Sequence, residues 1–227
     1  MKLPAIEPTK LSRVAAAFDD ADFLFELKHD GFRCLAYIAE GRCDLVSRNT
    51  NYYQRFDSLK AALANLKVTD AILDGELVCL DDEGKSRFNL LLRRHAEPLF
   101  YAFDLLWLNG KDLRGLPLAE RKVQLRKLIE KSDCERIIYV QHIEMCGCVL
   151  YRAICKKDLE GIICKKKNGT YSVSEQWLKV LNPNYTQHEE RHEKYNVSKP
   201  RDPSITENRL KFGQERRKEI SKGAFSR

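Results

Sequence analysis

The run LFYAFDLLWL, residues 99–108, restricts the possible folds more than any other stretch of this chain. Ten consecutive residues, apolar except for Asp104 and closed by the Asn109-Gly110 turn signal, read as a strand buried on both faces at the centre of a sheet. Strand alternation puts Phe103 and Asp104 on opposite faces, so that one points into the core and the other toward a cleft. A carboxylate in such a strand costs several kcal/mol unless something binds it.

Other elements group around this strand. Residues 32–38 and 43–47 read as a hairpin turning at Glu40-Gly41-Arg42. Residues 52–66 follow as a helix with Phe56, Leu59, Leu63 and Leu66 on one face. Residues 71–80 form a strand carrying Asp74-Gly75-Glu76, again carboxylates in an apolar setting. A helix over 116–131 buries Leu118, Leu125, Leu128 and Ile129, with Pro117 in its first turn. A second helix over 146–159 turns Val149, Leu150, Ala153 and Ile154 inward, and strands at 160–165 and 177–180 follow. The pattern predicts an α+β fold with antiparallel sheets flanked by helices and a cleft where polar strand ends converge. With 227 residues, 43% of them apolar, there is enough material for one large or two small domains.

The N-terminal residues alternate polar and apolar positions and include Pro4 and Pro8, unlike a signal peptide. No apolar run approaches the ~18 residues needed to span a bilayer. Eight cysteines never form CxxC and mostly sit in apolar patterns, the usage of a reducing compartment. A soluble, cytoplasmic protein is expected. Cys146 and Cys148 lack the two further ligands that a zinc site requires. The net charge of +7 suits a polyanionic partner.

Chemistry is concentrated at Phe25-Glu26-Leu27-Lys28-His29-Asp30-Gly31-Phe32-Arg33. Here a short apolar strand delivers Lys28 to an Asp-Gly turn with charged groups on both sides. A lysine amine is a nucleophile only when deprotonated, which partial burial beside a metal ion or a second cation favours. Taken alone, Lys28 could equally be a strand-end lysine paired with Glu26 or Asp30. Arg48 ends the hairpin as a forked, permanently charged donor suited to phosphate. Glu76 calls for a partner: a ribose hydroxyl, a cation or an arginine. Phe103 offers a stacking face for a base.

In chain order, KHDG (Lys28), SRN (Arg48), LDGEL (Glu76), YAFDLLWLNG (Phe103), EGIICK (Glu160) and WLKV (Lys179) resemble the successive nucleotidyltransferase motifs of ATP-dependent DNA ligases. The stretch LNGKDLRGLPLAERKVQLRKLI looks more like a DNA ligase than a capping enzyme or an RNA ligase, and the likeness is strongest to the ligase catalytic domains of bacteria. The resemblance implies a nucleotidyltransferase (ATP-grasp-like adenylation) domain over 1–187. It also implies ATP and Mg²⁺ or Mn²⁺ as cofactors, and nicked double-stranded DNA as partner. Lys28 would carry AMP as a phosphoramidate, with Lys179 neutralising the α-phosphate. Glu26 would contact the adenine amino group, Phe103 would stack on the ring and Glu76 would bind the ribose. Arg33 and Arg48 would hold the ribose-phosphate and the 5′-phosphate of the nick, and Glu160 the divalent metal.

Two departures stand out. Leu181 occupies the place of the family's usual second lysine in the last motif. Residues 182–227 are too few and too polar for the OB-fold that full ligases place there, so no complete OB-fold is expected, and a separate OB-fold or DNA-repair protein is a possible partner. Within that segment, 188–227 reads as a basic, partly disordered tail. The whole of 182–227 holds 11 Lys+Arg against 7 Asp+Glu. Its literal HExxH, His188 to His192, lies in polar surroundings unlike those of a zinc protease. An RNA ligase or capping-type enzyme, or a nonenzymatic nucleotide- or DNA-binding descendant, stays open as an alternative reading.

Overall fold

In the computed structural model, residues 3–93 and 96–187 are described. In chain order the elements are β1 (Lys10–Arg13), β2 (Phe23–Leu27), β3 (Phe32–Ala39), β4 (Arg42–Ser47), α1 (Asp57–Ala64), β5 (Asp70–Val78), α2 (Phe88–Arg93) and β6 (Leu99–Leu108). There follow β7 (Lys111–Asp112), α3 (Leu118–Glu130), β8 (Ile137–Tyr139), β9 (His142–Glu144), α4 (Gly147–Lys156), β10 (Gly161–Lys166) and β11 (Gln176–Leu181).

The strands form two sheets. One has the order β1-β11-β10-β2-β9, the other β4-β3-β5-β6-β7, with β8 also pairing with β6. Pairing is antiparallel as expected, except that β1 runs parallel to β11 and β8 parallel to β6. Among the described residues neither sheet is closed into a barrel.

The alternation of each strand divides the core into three layers. Cys34, Ala36, Leu73, Phe100, Ala102 and Leu105 pack on the helix side of the second sheet, against Leu59 and Leu63 of α1 and Leu125 of α3. Phe25, Ile162, Cys164 and Val180 pack on the far side of the first sheet, against Ile154 of α4. Between the sheets lies a thinner layer of Leu35, Ile72, Leu106, Ile163, Tyr171 and Trp177. The cleft opens at the edge of this middle layer.

The helices differ from the sequence expectation in instructive ways. α1 begins only at Asp57, because Phe56 adopts a left-handed conformation (φ 72°) that a helix cannot continue through, and Tyr52 instead bridges to Val46. Pro117 caps α3 and does not lie in its first turn. The buried face of α3 includes the charged Arg121 and Lys122 beside Leu118 and Leu125. On α4 the inward stripe is Gly147, Leu150 and Ile154, while Val149 and Ala153 face solvent. A side chain at Gly147 would meet Phe18 O at 2.3 Å and the Phe25 ring at 2.4 Å, so glycine lets α4 approach β2 closely.

The tail over 188–227, with its HExxH, lies outside the described residues. No described helix is long and apolar enough to cross a membrane. Cys34, Cys43, Cys79 and Cys164 are buried, and Cys146 is exposed. No group of three or more His, Cys, Asp or Glu side chains that could hold a metal ion occurs among the described residues.

Candidate active site

β2 presents Glu26 and Lys28 on one face, because strand side chains alternate with a period of two. The Lys28 N–H donates to Gly161 O at 2.9 Å, which pins the end of β2 to the start of β10. The turn that follows is tightly confined. A Cβ on Gly31 would come within 2.1 Å of Leu77 O, and buried Asp30 accepts a hydrogen bond from Tyr185 at 3.1 Å. Lys28 is therefore held on a rigid support.

The cleft is lined by Leu11, Glu26, Leu27, Lys28, His29, Arg33, Glu76, Phe103, Ile163, Lys165 and Trp177. It encloses about 420 Å³ of empty space, counting its open mouth. Five of the residues expected from the sequence thus meet in one cleft: Glu26, Lys28, Arg33, Glu76 and Phe103. Glu160 joins them through an ion pair with Lys28, Nζ to Oε1 at 2.7 Å. Lys179 lies opposite Ile163 across β10–β11, and Arg48 is exposed beyond β4.

Lys179, Arg48 and Lys28 still share one electrostatic neighbourhood. Partial burial lowers the Lys179 pKa, and the charges of Lys28, Arg13 and Arg48 lower it further against the pull of Glu160. Four cations around one carboxylate make the outer end of the cleft positive, as a chain of phosphates requires.

Arg33, expected to hold the ribose-phosphate and the 5′-phosphate of the nick, meets a carboxylate in this structure. Its Nε and Nη2 form a fork on Asp74 at 3.1 and 2.7 Å, and Nη1 donates to Thr9 O at 2.7 Å. Asp74 also accepts from Tyr171 at 2.7 Å. Here the arginine is directed inward, stacked 4.9 Å from the Trp177 ring centre. Asp104 is likewise internal: its two oxygens take Nε and Nη2 of Arg121 at 2.8 and 2.9 Å, with both side chains fully buried. Its strand neighbour Phe103 faces the cleft and meets Trp177 edge to face at 5.7 Å.

Glu76 is half-buried with no arginine fork of its own. Burial raises its pKa to about 8, with Lys28 and Arg33 opposing that rise and Glu160 and Asp74 adding to it. His29, its ring centre 4.2 Å from that of Tyr101, is neutral at physiological pH because burial and then Lys28 bring it to about 4 against the pull of Glu26.

Sequence reasoning missed the groups around Glu26. Burial alone would raise the Glu26 pKa, yet Lys122 (Nζ–Oε1 2.5 Å) and Lys165 (Nζ–Oε2 2.6 Å) together bring it below the ordinary carboxylate value. Lys122 comes from α3, 96 positions away. Lys165, at the end of EGIICK, and Trp177, at the start of WLKV, lie in motifs that the sequence reading used only for Glu160 and Lys179.

The profile described as the ATP dependent DNA ligase domain matches residues 5–180. The chain belongs to this family. Among curated ATP dependent DNA ligase domain relatives, a multifunctional non-homologous end joining protein LigD of Pseudomonas aeruginosa is 34% identical over 167 residues, covering 70% of this chain. A SPbeta prophage-derived DNA ligase-like protein LigB of Bacillus subtilis is 28% identical over 192 residues, covering 80% of this chain. The match takes in only 20% of the first relative's length and 69% of the second's. Among solved structures, the ligase domain of Mycobacterium tuberculosis LigD superposes with a TM-score of 0.66 at 25% identity, over 76% of this chain and 58% of that one. A mycobacterial DNA ligase D complexed with ATP and MES gives the same score and identity over 77% and 60%. The two-sheet architecture is thus that of the ligase nucleotidyltransferase domain.

Proposed function

We propose that this chain is the adenylation module of an ATP-dependent ligase that seals nicks in double-stranded DNA through a lysyl-AMP intermediate. The observation that carries this reading is the position of Lys28. It sits on a rigid strand end between a cleft walled by Phe103 and Trp177 and a cluster of Arg13, Arg48, Lys179 and Glu160.

In the first step the Lys28 amine attacks the α-phosphorus of ATP. An N–P bond forms, the bond from the α-phosphorus to the bridging oxygen breaks, pyrophosphate leaves and the amine loses a proton. AMP then passes to the 5′-phosphate of the nick, releasing the lysine, and the 3′-hydroxyl attacks that phosphate and expels AMP. Positioning and cations supply most of what such transfers need. Lys179 and Arg48 stand where they can neutralise phosphate charge, and Phe103 gives the base a stacking face. Arg33 serves by bracing Asp74 and the aromatic wall.

A divalent metal fits the residues present. Glu160 and Glu76 are hard oxygen donors, the charge of Glu160 adding to the cost of ionising Glu76, and Mg²⁺ or Mn²⁺ completes its shell with water and substrate phosphates when few protein ligands are available. Glu160 would hold it and Glu76 would bind the ribose. Bound there, the ion would offset charge on the phosphates.

Incubation with α-labelled ATP, followed by a denaturing gel, tests the assignment. Label should remain on the protein and map to Lys28, and Lys28→Ala should lose it while melting within about 0.5 kcal/mol of the parent, as a strand-end side chain contributes little packing. Label retained by Lys28→Ala would remove Lys28 as the nucleophile. Sealing of an RNA nick in preference to a DNA nick would correct the substrate.

A further inference from the structure

Strand β11 brings one cation to the phosphate end of the cleft, and the strand beside it brings another that the reaction as described leaves without a task. On β11, Trp177, Lys179 and Leu181 share one face, and Trp177 lines the cleft. The place after Lys179 on that face is apolar, so β11 offers the phosphates a single charge.

β1 runs parallel to β11, with Leu11 opposite Trp177 and Arg13 opposite Lys179. Paired residues of neighbouring strands point to the same face, as do residues two apart on one strand. Leu11 and Trp177 both line the cleft, so Arg13 stands on the cleft face at the level of Lys179, one strand spacing of about 4.8 Å to its side. The alternate positions agree. The Ser12 hydroxyl donates to Gln176 Oε1 at 2.7 Å, and Val14 packs with Leu178 in the far-side core, all on the other face. The register is held on both sides of the arginine, because the Val14 N–H donates to Lys179 O at 3.1 Å.

Two like charges directly opposite one another weaken a sheet. Here they also stand near Lys28 and Arg48: after partial burial, the charges of Lys28, Arg13 and Arg48 all depress the Lys179 pKa, and Glu160 opposes them. Among the described residues no ion pair or hydrogen bond engages the Arg13 side chain. An anion lying across Arg13 and Lys179 relieves their repulsion, and a guanidinium fork suits the oxygens of adjacent phosphates. The strand order β1-β11-β10-β2 gives the direction of that anion. In a phosphoryl transfer the leaving group lies opposite the attacking atom. Lys28 attacks from β2, and across the sheet from it come Lys179 on β11 and then Arg13 on the edge strand, exposed at the mouth through which a leaving group departs.

We propose that Arg13 binds the β- and γ-phosphates of ATP beside Lys179, holding the pyrophosphate that departs in line with the attack of Lys28. This rests on the lysyl-AMP reading given above.

Equilibrium binding of AMP and of α,β-methylene-ATP, which cannot transfer its AMP, to the full chain tests this directly. Arg13→Gln should weaken the analogue roughly 10-fold, the loss of one charge-assisted hydrogen bond, while the affinity for AMP changes by less than about twofold. The variant should melt no lower than the parent, since it removes a like-charged neighbour of Lys179. Equal affinity of the unmodified protein for the analogue and AMP overturns the proposal without any variant. Analogue binding unchanged by Arg13→Gln overturns it as well, and so does equal weakening of both nucleotides with a lower melting temperature, which marks a structural role. Nicked duplexes bearing a 5′-phosphate or a 5′-hydroxyl are compared in parallel. Loss of 5′-phosphate discrimination in Arg13→Gln, with analogue binding intact, overturns the assignment and moves the phosphate from ATP to DNA. Label transfer from ATP to Lys28 is read on the unmodified chain. Arg13-dependent analogue binding with no label on Lys28 supports the phosphate contact and removes the ligase reading, whereas label on Lys28 with Arg13-independent analogue binding does the reverse.

Discussion

Glu76→Gln should stabilise the protein at alkaline pH and weaken its hold on nucleotide. The Glu76 carboxyl has a pKa near 8 in the folded protein against 4.5 for the free group, with burial as the largest cause. The folded state therefore binds the extra proton between these two values, and the stability that this proton contributes is complete below about 4.5 and is lost progressively as pH rises through 8. A shift of about 3.5 units corresponds to at most about 5 kcal/mol at 1.36 kcal/mol per unit. Because Glu76 is half-buried and faces the open cleft, solvent screening reduces this to about 2–3 kcal/mol. Gln keeps the shape without the titration. At pH 9 the variant should melt roughly 4–12 °C above the parent, at about 2–4 °C per kcal/mol for a domain of this size. At pH 4 the two should coincide. Paired thermal melts from pH 4 to 9, with ATP affinity measured at pH 7.5, are the assay. A constant difference across that range, or none at pH 9, would refute the argument that Glu76 is held in an environment hostile to its charge.

Two other substitutions probe different parts of the molecule. Asp104→Asn should cost about 3–5 kcal/mol in urea unfolding because it strands the buried Arg121 charge, while Asp104→Leu combined with Arg121→Met should recover most of that loss; equal destabilisation by both would show that the pair is not the cause. Leu181 shares a strand face with Lys179, so Leu181→Lys adds a cation beside the phosphate end and should raise self-adenylation more than sealing of pre-adenylated nicks. Unchanged rates, or a larger gain in sealing, would mean that Leu181 does not face the phosphates.

The parts of this site that depend on local period could be read from the sequence. Strand alternation separated Phe103 from Asp104, and the Asp-Gly turn after Lys28 is where the structure has it. What could not be read is which cation meets which carboxylate. Arg33 has five donors and could serve a phosphate or a carboxylate equally well; that Asp74 lies within reach of its fork follows from the β3–β5 register, which no local pattern reveals. Lys122 and Lys165 looked like ordinary charges of a helix and a strand end, because nothing within a few residues of either reveals Glu26. The helix ends fail for a different reason. The apolar spacing through 52–66 is helical, but Phe56 takes a left-handed backbone to place its ring near Tyr53 and Arg55, and that choice belongs to packing.

The two sheets draw on the chain in different orders, which bears on synthesis. Strands β3 to β7 of the second sheet are consecutive, so each finds its neighbour soon after it is made. The first sheet interleaves β2 with β9, β10 and β11 and docks β1 against β11, so its pairings span nearly the whole domain. Lys28 and Lys179 are 151 positions apart, and at roughly 5–20 residues per second the ribosome needs about 8–30 s to go from one to the other. For most of that interval, until β9 and then β10 have been made, β2, with the apolar faces of Leu24 and Phe25, has no partner strand to cover it. The half of the molecule that carries the nucleophile is thus the last to close, and an emerging chain is most open to chaperone capture or to self-association at the strand on which its chemistry depends.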